Sequence, residues 1–240
     1  MQVRPSSQAT VAARAGSLLA ALALAIFARG AAAQPSAASP REAAPIDLTG
    51  QWVSVVTEDW LWRMVTPRKG DYTSVPLNDA GRAEADRWDP VADEGTCRPY
   101  GAPGLLRMPT RVRIEWRDDA TLAIETDSGE QTRLLHFAAV PAPGEPTRQG
   151  ISRARWQGTS LEVVTTHLLP GYLRRNGVPY SGNTVLTEHF VRHSAFGEEW
   201  FTVTTIVDDP MYLEQPFVTS SSFKRERDRS GWSPLPCEER

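Results

Sequence analysis

The sequence predicts an all-β fold: an antiparallel β-barrel of about 8–10 strands, with one short α-helix and one long loop. Three observations predict it. Eight stretches alternate apolar and polar residues at period two, and they are rich in Val, Ile, Thr and aromatic residues. Short turn segments separate several of these stretches. Only one segment past the N-terminal region carries helical spacing.

Taken in order, the chain opens on a segment that does not belong to this fold. Residues 1–16 hold Arg4 and Arg14 and no acid, "SLLAALALAIF" (17–27) is apolar, and small residues follow at Ala31 and Ala33. A basic start, a short apolar core and an A-x-A site predict a secretory signal peptide over 1–33. The apolar run is shorter than the roughly 20 residues of a spanning helix. Residues 34–46, "QPSAASPREAAPI", offer little to bury and are predicted to form a disordered leader. Residues 47–240 are then a single domain.

The predicted strands are "QWVSVVT" (51–57), "RVRIEW" (111–116), "TLAIETD" (121–127), "QTRLLHF" (131–137), "SLEVVTTH" (160–167), "TVLTEHFVRH" (184–193), "EWFTVTTIV" (199–207) and "FVTSSSFKRE" (217–226). "WRDDATL", "TDSGEQ" and "WQGTSL" supply hairpin turns. The helix falls in "PLNDAGRAEADRWDP", with Asn78 as N-cap and Pro90 as stop. From Pro90 to Pro109 the chain is irregular, a length typical of lids and binding loops.

Cys97 and Cys237 are the only cysteines. An even pair in an exported chain predicts a disulfide. Loss of residues 1–33 removes three arginines and no acid, so the net charge moves from −3 to −6. A mildly acidic surface argues against nucleic acid or an anionic membrane as partner.

"GQW" (50–52) at the head of the first strand resembles the G-x-W signature of lipocalins, in which the Trp plugs the closed end of an up-and-down barrel. "ARWQGTSLEVVTTHL" (154–168), "NGVPYSGNTVLTEHF" (176–190) and "TIVDDPMYLEQPF" (205–217) resemble segments of secreted bacterial proteins labelled lipocalin-like. The resemblance spans residues 47–237 and implies a lipocalin-like barrel. It implies no activity.

Candidate chemistry comes from side chains on alternating strands. His189 and His193 stand four apart, which in a strand separates them by about 13 Å, so a shared metal is not expected. Nucleophile elbows, P-loops and dinucleotide fingerprints are missing. Glu188 shares a strand face with Leu186 and Phe190. It is either a desolvated acid/base group or one half of an interior ion pair with Arg133 or Arg63. His167, at a strand end, and Tyr172, in the loop that follows, complete a candidate catalytic set with Glu188. Trp60, Trp62 and Arg63, with Tyr100, Arg133 and Tyr180, are candidate ligand contacts, either as a pocket rim or as packing under the long loop.

The first functional expectation is a secreted or periplasmic protein that binds a small, largely apolar ligand, aromatic or terpenoid-like, in its cavity. Two alternatives stand beside it. One is a cofactor-independent lyase, hydratase or isomerase using the same cavity; the other is a structural envelope protein whose barrel is filled. No cofactor and no metal are expected, and the sequence does not address the oligomeric state.

Overall fold

The structure is a computed structural model that describes Gln2 and residues 38–237. The predicted signal peptide, residue 2 aside, and the first four residues of the predicted leader lie outside the described residues. The strands are β1 (Gly50–Val55), β2 (Arg111–Trp116), β3 (Thr121–Thr126), β4 (Ser128–Gly129), β5 (Thr132–His136), β6 (Ile151–Gln157), β7 (Ser160–Thr166), β8 (Gly171–Arg174), β9 (Val178–Tyr180), β10 (Val185–Ala195), β11 (Glu198–Asp208), β12 (Phe217–Glu226) and β13 (Leu235–Pro236). Three short helices accompany them: α1 (Trp60–Met64), α2 (Asp79–Ala85) and α3 (Ala102–Leu105), the last preceded by a 3₁₀ turn at Arg98–Tyr100.

Nine strands close into a barrel in the order β1-β12-β11-β10-β7-β6-β5-β3-β2. All eight stretches predicted as strands lie in this ring, together with β6. One neighbour relation differs from the predicted all-antiparallel ladder: β5 and β6 run parallel over Leu135–His136 and Ser152–Arg153. The cause is the connection between them. Residues 137–150 form a long crossover instead of a tight hairpin, and a parallel neighbour needs such a crossover.

Alternation along the strands fills the interior. Trp52, Phe190, Phe201 and Phe223 are all 0% exposed. Phe201 stacks on Phe223 at 4.7 Å and meets the Trp52 ring edge-on at 5.0 Å. Trp52 donates its indole N–H to the Leu48 carbonyl (2.9 Å), and the Arg225 guanidinium lies over its ring at 5.1 Å. This explains Gly50: φ is +123°, and a Cβ there would meet Arg225 Nη2 at 2.9 Å. Glycine takes this φ without strain, and it lets the arginine cover the tryptophan and donate to the Thr49 carbonyl (3.0 Å) undisturbed.

Next to this aromatic layer the interior turns polar. Glu188 on β10 and Arg133 on β5 form a two-pronged pair, Nη2 to Oε2 at 2.7 Å and Nη1 to Oε1 at 3.1 Å. Thr165 Oγ1 accepts from the same Nη2 at 3.2 Å. A second hydrophobic core lies at the end of the barrel where Leu186, Val207 and Phe217 sit, and it includes Leu77, Ala85, Leu173, Val178 and Tyr180 from the segments packed there.

The predicted helix is α2. Asn78 caps it by accepting from the Gly81 N–H (2.9 Å), but it ends at Ala85, before the predicted stop at Pro90. The predicted disulfide Cys97–Cys237 is present, with Cα atoms 5.6 Å apart, and closes a separation of 140 residues. Residues 38–46 of the predicted leader are laid against the barrel: Arg41 N–H donates to the Asp119 carbonyl (3.0 Å), and Trp156 donates to the Pro40 carbonyl (2.8 Å). Ile46 packs on the first core.

Candidate functional site

After Val55 the chain leaves the sheet. Asp59 adopts the left-handed conformation (φ 51°) and starts α1, its carbonyl accepting from the Trp62 and Arg63 N–H groups. "WLWRM" is therefore one helical turn and not a continued strand. Its period-two pattern of rings fits either geometry, and five residues are too few to separate them. The turn divides its side chains: Arg63 is buried, Trp62 half-buried, and Trp60, Leu61 and Met64 are more than half exposed.

The inward half of α1 meets the β8–β9 hairpin and α3 around a small cleft. Trp62, Arg63, Arg107, Tyr172, Arg174 and Arg175 are among its walls, and its volume is about 20 Å³. That is room for one water-sized group. Four guanidinium groups thus converge on one space. Arg63 is held by Glu58 and donates Nε–H to the Arg107 carbonyl (2.7 Å). Arg107 pairs with Asp59 (3.1 Å), and Arg175 donates to the Arg63 carbonyl (2.8 Å).

Among the described residues Arg174 has no such partner. It is 4% exposed, and Nε, Nη1 and Nη2 all lack a hydrogen-bond acceptor. Its guanidinium faces the Trp62 ring at 5.0 Å, and the Trp62 indole is fixed by Asp71 (3.0 Å). Ring stacking engages the face of a guanidinium and leaves its N–H edge unsatisfied. Burial first, and the Arg107 charge second, push the Arg174 pKa down to about 10, so it stays charged at neutral pH. Arg63 Nη2 and Arg107 Nη1 are unpartnered as well.

Tyr172 stands between this cleft and a wider one of about 330 Å³, whose walls include Glu84, Arg87, Trp88, Asp93 and Arg98. Its hydroxyl accepts from Arg98 Nη1 (2.8 Å) and donates to Asp93 Oδ1 (3.2 Å). Burial raises its pKa.

The candidate residues from sequence therefore separate. Trp62, Arg63 and Tyr172 come together in the small cleft, and Trp60 lies in solvent on the same helix. Glu188 and Arg133 are buried in the barrel, bound to each other. His167 lies one residue past β7, exposed, with φ of 59° and its ring nitrogen Nδ1 bonded to Thr166 Oγ1 (2.9 Å). The left-handed turn leaves it in solvent. Glu188, His167 and Tyr172 thus stand in three different surroundings.

Tyr180 is completely buried in the second core. A Cβ on Gly101 would approach its hydroxyl to 1.8 Å. Tyr100 is half-buried and covers Gly129. Among the described residues no three His, Cys, Asp or Glu side chains gather as a metal-binding group.

Sequence reasoning missed Arg107, Arg174 and Arg175. A signal for the last two was present: residues 168–183, "LLPGYLRRNGVPYSGN", contain two arginines and no acid.

Fold and site together define a closed, internally packed β-barrel with a cation-lined cleft outside its lumen. Comparison of the chain with protein-family models, with curated proteins and with solved structures finds no match.

Proposed function

We propose that this protein is a lipocalin-like binding protein for a small, largely apolar molecule, taken up at the cleft beside α1 and not in the barrel lumen. The observation that carries the reading is the split character of α1. Trp60, Leu61, Met64 and the adjoining Val65 are 53–62% exposed, while Trp62 and Arg63 of the same turn line the cleft. Apolar side chains gathered in solvent beside a polar recess are the usual surroundings of a ligand. The aromatic stack across the barrel supports placing the ligand outside it.

The disulfide fits an oxidising compartment, which supports secretion or a periplasmic location. Acid/base catalysis by Glu188, His167 and Tyr172 receives less support, since the Glu188 carboxylate is already taken by Arg133. The packed interior favours one other reading, a structural envelope protein that binds nothing.

Mass spectrometry of small molecules released from the purified protein separates these readings. An apolar molecule near one per chain, lost in Trp62→Ala with the fold intact by circular dichroism, is the expected result. A wild-type protein that retains nothing and shifts its melting temperature with no apolar compound would support the structural reading instead.

A further inference from the structure

The geometry points to an anionic head group on that ligand: a carboxylate or phosphate whose oxygen enters the Arg174 cleft while its apolar body lies over α1. The inference rests on the binding reading above and adds the chemical class.

The argument begins with what is left unsatisfied. Five guanidinium nitrogens on arginines that line the cleft are buried without acceptors: Arg63 Nη2, Arg107 Nη1 and all three of Arg174. An unpartnered buried donor costs free energy, and a buried charge without a counter-ion costs more. Arg63 and Arg107 each keep a carboxylate partner, Glu58 and Asp59 respectively. No carboxylate is bonded to Arg174; Asp59 and Asp71 act on it only at a distance. Positive charge thus exceeds negative in a desolvated space, and the missing component is an acceptor with negative charge.

Size narrows the choice. A recess of about 20 Å³ has room for one oxygen-sized group. The rest of the molecule remains outside the recess, and α1, which walls the recess with Trp62 and Arg63, also carries Trp60, Leu61 and Met64 exposed to solvent. A polar tip and an apolar body describe an amphipathic anion. Carboxylate and phosphate both match, since each accepts charge-assisted hydrogen bonds from guanidinium N–H groups.

The same reading explains why Arg174 is tolerated. A buried, unpaired cation destabilises the free protein, as functional groups held ready for a ligand commonly do. Replacing it with an apolar side chain of similar length removes the anion site and relieves that cost. A purely structural Arg174, retained for its stacking on Trp62, has the opposite sign.

Calorimetric titration with octanoate, octyl phosphate and octan-1-ol, each below its aggregation concentration, tests the inference. At least one anion is expected to bind tenfold or more tighter than octan-1-ol, and the preferred anion assigns the head group. Arg174→Met is expected to abolish that preference while raising the melting temperature of the ligand-free protein. Equal binding of octan-1-ol and both anions overturns the anionic head group and leaves the apolar-binding reading standing. If all three fail to bind, the anionic head group falls, and the mass spectrometry of retained molecules decides the apolar-binding reading by itself. Full displacement of the bound anion by equimolar chloride would show a halide site and overturn the amphipathic ligand. An Arg174→Met protein that melts lower and keeps the anion preference assigns Arg174 to the fold alone.

Discussion

Glu188 and Arg133 show how one buried pair can resemble chemistry in a sequence and serve structure in the fold. A carboxylate between Leu186 and Phe190 has two physical outcomes: it titrates, or it finds a cation. Here the cation comes from β5, 55 positions away in sequence, with Thr165 taking part of the remaining donor capacity. The register across the two intervening barrel strands, β7 and β6, decides the pairing, and local alternation does not contain it. Removing one partner of such a pair costs about 3–5 kcal/mol, whereas replacing both with apolar groups is close to neutral. Arg133→Met is therefore expected to lower unfolding stability in urea by that amount, and Arg133→Met with Glu188→Leu to recover most of it. A near-neutral single variant would show that the pair does not hold the interior.

At the scale of elements, the ladder was legible because burial on one strand face imposes period two on every strand that meets the core. β1, β2, β3, β5, β7, β10, β11 and β12 each carry that mark. Connections carry less. The parallel β5–β6 contact depends on the path of residues 137–150, which has no periodic signal, and α1 is one turn long. The loop after Pro90 is not open coil along its whole length. It carries the 3₁₀ turn and α3, and the disulfide fastens it to β13, the strand that pairs with β4. In the chain-entropy model a closed loop of this length contributes about 5 kcal/mol. The Cys97→Ser, Cys237→Ser protein is expected to lose up to that stability by chemical denaturation. Because α3 and Pro99 border the arginine cleft, it is also expected to bind octanoate more weakly. Unaltered stability in the double variant would mean that the bridge does not restrain the unfolded chain.

Across the whole molecule, two cores share one barrel. The aromatic layer around Trp52 closes the lumen, and Leu186, Val207 and Phe217 pass the sheet over to the second core, on which α2 and the β8–β9 hairpin rest. The arginine cleft belongs to this outer assembly. Half of it was visible in sequence, since Trp62, Arg63 and Tyr172 stand out by composition. Arg107 did not, because a buried arginine and a solvated one look alike until their neighbours are known, and the acid-free run around Arg174 and Arg175 was a signal left unread. The central claim is that ligand meets the protein at this cleft and leaves the lumen dry. Titration of ¹⁵N-labelled protein with whichever of octanoate and octyl phosphate binds more tightly, followed by two-dimensional NMR, tests it most directly. The account predicts that the Trp62 indole N–H and the backbone amides of Tyr172, Arg174 and Arg175 shift while the Trp52 indole and the amides of Phe190 and Phe201 stay fixed. Shifts at Trp52, Phe190 and Phe201 with the cleft unmoved would contradict it.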